Sequence, residues 1–574
     1  CQGHPMVETN VPQLLAQEAS SQDWETFYDL LPDTEAAFLH GTDGRQPLSF
    51  ERLKDFLSGG LIAAALPGLK REDRLCSAIP NGPEAAIAFL AFALACTYAP
   101  LNPASTSDEL SFELQDMPAK ALVLHDANHL TEEDRSLSKR ALEAGRHAEV
   151  QNVLELRPSS EYAGLFDLSL LCMNSLKGSY EVQAPDGGRL PLPIPAAQRY
   201  DVALALHTSG TTKKPKIVPL THENIACGAL CIASTLQLEV GDVCVNIMPL
   251  FHIHGLVVNV LTPAVAGSQV VCLPGNFRAQ ALQGSLTAQP YPTWYSAVPT
   301  VHLQLLRLSE ETRPGACEAA KSRLRLIRNC SAALAPSLAE DLERTLQVLA
   351  MPTYAMTESM PIASNPRCGL RKLRSVGKEA GPNVDVVARF PDSRSMAVGE
   401  EGEVVVRGAT VMPGYELRVH MEEDPNVECL VGGWLRTGDK GWFDSDGYLY
   451  LSGRFKEIIN RGGEKISPLE VEDVLRGHEA LQELVAFAAP HAELGEVVGV
   501  AAVVREGHRL NIRQLRSWAL RTQRLQSKWL PELLVTMPQI PRGPTGKPLR
   551  IDLASRIGVE PLDGLARDME HPGF

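Results

Sequence analysis

Residues 206–216 restrict most strongly what this chain can fold into, because they join a strand-like apolar run to a loop of small polar side chains. The run is 202–206, and the loop holds one glycine, three lysines and four hydroxyl side chains, those of Thr208, Ser209, Thr211 and Thr212. Such a loop suits a polyphosphate, because Gly210 lets the backbone approach closely, hydroxyl and amide groups donate hydrogen bonds, and Lys216 neutralises charge. The G-x-x-x-x-G-K-S/T spacing of a P-loop is missing. Taken alone, the segment also fits a Ser/Thr-rich surface turn.

Length, composition and charge indicate a globular protein of more than one domain. The 574 residues exceed one ordinary core, so we expect two or more domains. An apolar content of 44% with 21% charged residues is typical of a soluble globular protein, and a net charge of −15 argues against nucleic acid as a partner. The longest apolar run, 85–96, is too short to span a bilayer. Twelve scattered cysteines indicate a reduced, intracellular protein, cytoplasmic or peroxisomal.

Helical and strand-like segments alternate along most of the chain. Residues 48–69 have apolar side chains at helical spacing, and a short strand is expected within 71–80. The turn Asn81-Gly82-Pro83 starts a helix, and 121–124 is another short strand. This alternation predicts an α/β protein with layers around a mainly parallel sheet. Later segments, 407–415 and 442–451, are richer in β-formers and indicate a small β-rich subdomain. From Lys456 onward the pattern becomes a compact mixed α/β unit.

Four further segments carry residue types suited to nucleotide chemistry. Residues 354–358 end in Glu358, and a carboxylate beside a triphosphate suits Mg²⁺, which prefers carboxylate and phosphate oxygens. Asp439 follows a glycine, where it suits a ribose diol or an ordinary turn. The basic segment 453–465 contains paired glycines and also fits a surface hairpin. Lys547 ends a Gly/Pro-rich loop.

Together and in this order, these segments resemble the adenylate-forming superfamily, which includes acyl-CoA synthetases, luciferases and the adenylation domains of peptide synthetases. The resemblance covers about residues 48–553. It implies a large N-terminal domain, 1–455, of layered parallel-sheet subdomains plus a β-rich subdomain. It further implies a small mobile C-terminal α+β domain, 456–574.

The resemblance also implies where ATP binds. The residues expected to hold its phosphates are Thr208, Ser209, Gly210, Thr211, Thr212 and Lys216. The residues expected around adenine and ribose are Ser331, Ala332, Ala333, Tyr354, Asp439 and Arg454. Thr357 is expected to touch the α-phosphate, and Glu358 to bind Mg²⁺.

Four other positions match residues that act later in such a reaction. Lys547 matches the lysine that bridges the substrate carboxylate and the α-phosphate, and Lys456 matches the hinge between the two domains. Gly462 and Gly463 match a loop that lines the tunnel for a thiol. The implied chemistry is attack of a carboxylate on ATP to give an acyl-AMP, followed by attack of the thiol. Like-charge repulsion dominates the barrier, so Mg²⁺ and lysines near the developing charge are expected to matter most.

Residues 249–255 bear on the acid substrate. They contain two histidines and no acid, whereas amino-acid-activating members generally carry an aspartate there for the substrate ammonium. The segment looks like that of acyl- and aryl-CoA synthetases, where the residue matching His252 gates the carboxylate pocket. A small polar diacid needs hydrogen-bond donors at its far end. The candidates are His252, His254, Ser296 and His302, and each histidine also fits a hydrogen-bonded core position.

Several segments look like the oxalate–CoA ligase branch of the superfamily. They are 207–212, 251–255, 293–302, 330–336, 364–366 and 459–468. Three positions depart from the expected patterns. Lys213 and Ile217 replace usual glycines of the phosphate loop, and Pro361, three residues after Glu358, stands where oxalate ligases tend to carry a histidine. Oxalate is therefore the leading candidate among short carboxylates.

Three functions fit this resemblance. The first is an acyl-CoA synthetase that uses free CoA. The second is an adenylation domain that loads a non-amino acid onto the phosphopantetheine of a carrier protein, which a chain starting at Cys1 slightly favours. The third is an inactive nucleotide-binding scaffold, against which Glu358, Asp439, Lys456 and Lys547 argue.

Overall fold

The computed structural model describes residues 24–174, 179–182, 196–208, 215–311, 323–388, 394–543, 547–564 and 566–573. Within these ranges the strands form four sheets. None of the helices in the described ranges has the length and apolar composition needed to cross a membrane.

The first sheet has eight strands with a parallel centre. In spatial order they are Ile217–Thr221, Val202–His207, Thr97–Pro100, Arg74–Ala78, Ala119–His125, Asn152–Pro158, Phe166–Asn174 and Ser179–Val182. The central strands are almost wholly buried, as expected for parallel strands covered on both faces. The helix Pro83–Ala95 is apolar on all sides and correspondingly buried.

The second sheet has nine strands, and its six central strands are parallel. In spatial order they are Lys378–Glu379, Ser359–Ser364, Leu349–Met356, Leu326–Asn329, Trp294–Ala297, Val243–Asn246, Gln269–Cys272, Ala37–His40 and Leu48–Ser49. Open α/β sheets bind ligands beyond the carboxyl ends of their parallel strands. The segments that follow these strands are therefore the first place to look for a site.

The third and fourth sheets are smaller. The third consists of Asn383–Val387, Gly402–Arg407, Leu430–Val431, Trp434–Phe443 and Leu449–Arg454. The fourth consists of Ile459–Arg461, Glu464–Ile466, Leu481–His491, Gly495–Val504, Leu533–Thr536 and Arg567–Glu570. Two hydrophobic clusters surround the fourth sheet, and all their buried members lie between Ile459 and Leu562.

The helices lie mostly between the strands in sequence. The α-helices are Phe50–Ser58, Leu61–Ala65, Pro83–Ala95, Ser107–Asp116, Glu132–His147, His222–Leu236, Thr262–Val265, Ala279–Leu286, Pro299–Glu311, Pro336–Leu346, Pro425–Cys429, Pro468–Leu475, Ile512–Thr522 and Leu553–Arg556. Short 3₁₀-helices occupy Phe27–Leu30, Ala127–His129 and Ser527–Trp529, and His254–Leu261 is a π-helix.

The predicted fold class is confirmed, with one local difference. Residues 48–69 do not form one helix: a two-residue strand precedes two helices, which separate at Gly59 and Gly60. Gly60 has a φ of 67°, a left-handed conformation that glycine adopts without a steric penalty. The division into domains at 455 and 456 stays a prediction.

Candidate active site

The ends of the predicted phosphate loop are held together by two hydrogen bonds. The Thr208 amide donates to the Lys216 carbonyl at 2.8 Å, and the Lys216 amide donates to Thr208 Oγ1 at 3.1 Å. Thr208 follows the strand Val202–His207 and Lys216 precedes its antiparallel partner Ile217–Thr221, so the two ends of the loop lie side by side. Residues 209–214, which include the predicted Ser209, Gly210, Thr211 and Thr212, lie outside the described ranges.

A buried carboxylate anchors the root of this loop. Asp116 Oδ2 lies 3.0 Å from Nε2 of His207, the residue before Thr208, and Arg418 Nε donates to Asp116 Oδ1 at 3.1 Å. His420 Nδ1 is 3.2 Å from the same Oδ1 atom. Burial opposes ionisation of Asp116, but the bonds from His207 and Arg418 lower its pKa below the usual value. Sequence reasoning missed this cluster, because its members come from distant segments.

The predicted magnesium ligand lies next to the loop root. Lys216 Nζ is 4.4 Å from the ring centroid of Tyr415, and the Tyr415 hydroxyl donates to Glu358 Oε1 at 2.5 Å. Glu358 is 8% exposed and follows Thr357, which is half-buried. Burial and the Glu358 charge raise the pKa of Tyr415, so the phenol stays protonated. Sequence reasoning did not single out Tyr415.

Glu358 fits a cation held mainly by phosphate oxygens. Among the described residues, no group of three or more His, Cys, Asp or Glu side chains is arranged to hold a metal ion. Mg²⁺ commonly takes one or two protein carboxylates and completes its shell with substrate phosphates and water. One buried carboxylate beside a predicted phosphate loop matches that donor set.

The predicted ribose ligands face each other across two strands. Asp439 on Trp434–Phe443 and Arg454 on Leu449–Arg454 are register partners, with Arg454 Nε 3.2 Å from Asp439 Oδ1. The Tyr354 hydroxyl donates to Asp439 Oδ2. The charge of Asp439 raises the pKa of Arg454, and burial followed by the same charge raises the pKa of Tyr354. The strand pairing thus joins the two predicted ribose residues, and the Tyr354 hydroxyl joins the predicted adenine residue to them.

Lys547, from the last part of the chain, lies within electrostatic reach of Asp439 and Arg454. It is half-buried, its carbonyl accepts a hydrogen bond from the Gly543 amide at 2.9 Å, and 544–546 lie outside the described ranges. Removal of the ammonium from water lowers its pKa, and the Arg454 charge lowers it further, while Asp439 and Glu358 oppose the shift. The structure therefore brings Lys547 within electrostatic reach of the predicted ribose and magnesium ligands.

Two histidines predicted to line the acid pocket lie within electrostatic reach of Lys547. The His252 Nδ1 atom accepts a hydrogen bond from the His254 amide at 3.3 Å. His254 is fully buried, with Nε2 2.7 Å from Ser296 Oγ and Nδ1 3.1 Å from Ser331 Oγ. The Lys547 charge lowers the pKa of both histidines in addition to their burial. The pocket thus connects the predicted acid residues to the predicted nucleotide residues.

A π-helix orients this pocket. His254 begins the π-helix His254–Leu261, and Asn259 follows five residues later, which is the hydrogen-bond spacing of a π-helix. Asn259 Nδ2 donates to the Ser296 carbonyl at 3.2 Å, so both side chains point at the strand Trp294–Ala297. A Cβ atom at Gly255 would lie 2.3 Å from the Pro249 carbonyl oxygen, so only glycine permits this close approach.

The histidines of the pocket are neutral at ordinary pH. Burial, aided by Lys547, lowers the pKa of His252 to about 3. Burial also lowers the pKa of His302 to about 3. His302 Nδ1 lies 3.2 Å from the Tyr295 hydroxyl, so this ring lies behind the pocket wall. Neutral imidazoles donate or accept hydrogen bonds without carrying a charge.

The remaining predicted residues lie at the edge of this group or away from it. Ala332 is half-buried and its carbonyl accepts from Asn329 Nδ2 at 2.9 Å, whereas Ala333 is exposed. Lys456 is exposed in the turn before Ile459–Arg461. Gly462 and Gly463, with φ of 55° and 95°, form the tight turn of a hairpin between Ile459–Arg461 and Glu464–Ile466.

Sequence reasoning also missed a buried arginine. Arg328 is 1% exposed on the strand Leu326–Asn329, and its Nη1 donates to Ser296 Oγ at 3.3 Å. A signal was present in the sequence. Arg328 follows Leu324 and Leu326 at intervals of two residues, so an extended strand places all three side chains on one face, and both leucines are buried. A charged residue in phase with an apolar strand face indicates a buried polar site.

Comparisons with known proteins find relatives along most of this chain. A family model described as AMP-binding enzyme matches residues 31–416. Probable CoA ligase CCL9 of Humulus lupulus is 36% identical over 477 residues, which cover 81% of this chain and 83% of that protein. The oxalate–CoA ligase of Arabidopsis thaliana is 34% identical over 530 residues, covering 90% and 95%. The crystal structure of ATP-bound MatB from Rhodopseudomonas palustris has a TM-score of 0.75 and 25% identity, covering 96% and 99%.

Proposed function

The chain belongs to the AMP-binding enzyme family, and from that premise we propose that it activates a short polar carboxylic acid with ATP and transfers the acyl group to CoA. The family and the CoA ligases among its relatives make it an AMP-forming acid–thiol ligase, as the resemblance predicted. The proposal concerns the acid, the thiol and the residues that act on them.

The position of Lys547 is the observation that carries the proposal. The charge of Lys547 lowers the pKa of His252 at the acid pocket. The charges of Glu358 and Asp439, on the nucleotide side, raise the pKa of Lys547. A lysine between these two groups would hold the carboxylate oxygen and the α-phosphate oxygen together. It would reduce their mutual repulsion in the transition state, where fixed positive charge contributes most.

The nucleotide would lie along the residues around Lys547. Thr208 and Lys216 would hold the β- and γ-phosphates from the loop root, and Asp439 would accept hydrogen bonds from the ribose hydroxyls. Tyr354 and residues 331–333 would border the adenine. Glu358, with phosphate oxygens, would hold Mg²⁺, which supplies charge neutralisation when bound. Thr357 would donate to the α-phosphate.

The acid pocket fits a short polar substrate. His254 and Ser296 are fully buried and hydrogen-bonded to each other, and Trp294 and Tyr295 on the same strand are also fully buried. Arg328, which donates to Ser296, has its Nη2 atom without a partner in the described ranges, and a long alkyl chain would offer that atom no acceptor. Leaving such a buried group unpaired costs about 1–3 kcal/mol. The Arabidopsis relative is an oxalate–CoA ligase, and oxalate is the leading candidate for this chain.

We propose CoA as the thiol, because both relatives described above are CoA ligases. Lys456 would act as the hinge between a domain of 1–455 and a domain of 456–574. Rotation there would move Lys547 away and bring the Gly462-Gly463 turn toward the acyl-AMP. A carrier-protein phosphopantetheine remains the alternative acceptor.

An assay with two readouts tests this function. ATP–pyrophosphate exchange is measured over oxalate, malonate, acetate, propionate and palmitate, and thioester formation is then measured with free CoA. We expect exchange with short acids and thioester formation with CoA. Exchange with palmitate alone contradicts the proposed pocket, and exchange without thioester formation contradicts CoA as the acceptor and favours a carrier protein.

A further inference from the structure

Arg328 has no carboxylate partner among the described residues, unlike three other arginines that are enclosed by the fold. Arg74, Arg436 and Arg550 are each paired with a glutamate. Arg328 is buried more deeply, at 1% exposure, yet no acidic side chain in the described ranges forms an ion pair with it. Its Nη2 atom has no hydrogen-bond partner there either.

A guanidinium keeps its charge, because its pKa is too high for deprotonation in a protein. Burying a charge is costly unless an opposite charge or full hydrogen bonding accompanies it. Within the described ranges, Arg328 donates to the neutral hydroxyl of Ser296 at 3.3 Å. Among these residues its positive charge is therefore not balanced by an acidic side chain.

The unbalanced charge lies at one end of the acid pocket. Hydrogen bonds connect His252 to His254, His254 to Ser296, and Ser296 to Arg328. Among the charges that lower the pKa of His254, that of Arg328 has the largest effect and that of Lys547 a smaller one. The pKa of His252 is lowered by the charge of Lys547. Lys547 thus belongs to the His252 end of the pocket, and Arg328 to the Ser296 end.

We propose that Arg328, together with Ser296, binds a second anionic group of the acid, so that the pocket selects short acids with two negative charges. The inference rests on the proposed function. One carboxylate would meet Lys547 and be activated, and the other would receive the unpaired Nη2 donor. The planar guanidinium suits a carboxylate or a sulfonate because it presents parallel N–H donors. Arg328 is a specificity residue here, and the activated carboxylate does not depend on it.

Pairs of acids that differ only in the second anionic group test the inference. The pairs are malonate with propionate and oxalate with acetate, and kcat/KM is measured by ATP–pyrophosphate exchange. The variant Arg328→Met keeps a long side chain and removes the charge. We expect it to lower kcat/KM for malonate by about 100-fold, as removal of one partner of a buried charge pair does. Propionate use should stay the same or increase.

Two further variants separate recognition from folding. Arg328→Lys keeps a positive charge and loses the planar donors, so we expect a smaller fall in the malonate-to-propionate ratio. Arg344→Met removes an exposed arginine on the helix Pro336–Leu346 and should leave the ratio unchanged. The KM for ATP and the melting temperature are measured for each variant. If Arg328→Met does not fold, the ratio for Arg328→Lys decides.

The outcomes distinguish this inference from the proposed function. A wild-type preference for diacids that collapses in Arg328→Met supports the inference. Equal losses for malonate and propionate, or a wild-type enzyme that uses both equally, overturn it and leave the ligase function intact. Absence of exchange with every short acid overturns the proposed function itself.

Discussion

Replacing Lys547 with alanine tests the reaction where acid and nucleotide are expected to meet. The half-buried ammonium is near Arg454, Asp439 and Glu358, and its charge reaches His252. Removing one preorganised donor to developing charge costs about 3–4 kcal/mol, which corresponds to about 160- to 900-fold in rate. We expect that loss in acyl-AMP formation, measured by ATP–pyrophosphate exchange. Thioester formation from supplied acyl-AMP should remain largely intact, because CoA attack does not use this amine.

The charge of Lys547 also gives this prediction a pH dependence. Its pKa is lowered from the ordinary 10.5, so the ammonium loses its proton earlier as the pH rises. Adenylation should therefore fall on the alkaline side, and Lys547→Arg should move that fall to higher pH. The exposed Lys528, replaced with alanine, provides the matched control in the same part of the chain. Equal losses of both half-reactions in Lys547→Ala would refute the assigned role.

Two further predictions concern movement and acid stability. Lys456→Pro should leave adenylation intact and reduce thioester formation, because proline fixes φ near −65° and a hinge must change it; unchanged thioester formation would mean that Lys456 is not the pivot. The pKa of His302 is about 3 in the folded protein and 6.5 in the unfolded chain. This difference contributes stability that is present above pH 6.5 and is lost as the pH falls toward 3. The melting temperature should accordingly fall across this window, with a shallower slope in His302→Gln; a slope identical to that of the wild type would contradict a neutral buried ring.

The nucleotide side of the site was predictable because its residues lie in short motifs at strand ends. Asp439 and Arg454 lie on the two strands of one hairpin, and the Asp446-Gly447 turn signal between them indicates that these strands pair. Tyr415 was not predictable, since its contact with Glu358 joins segments 57 positions apart. The break between Phe50–Ser58 and Leu61–Ala65 was also missed, because apolar periodicity continues through Gly59 and Gly60 while the backbone does not.

The acid side depends on register, which no local pattern specifies. Ser296 and Arg328 meet because their parallel strands align Cα to Cα, and His254 joins them because a π-turn brings it to the same layer. A substitution at position 328 would change the charge at one end of the pocket without altering any loop that holds the nucleotide. If Arg328 and Lys547 have the roles proposed above, acid selection and ATP activation would be separable in this fold. The same chemistry at Lys547 would then serve different acids when the charge on a central strand changes.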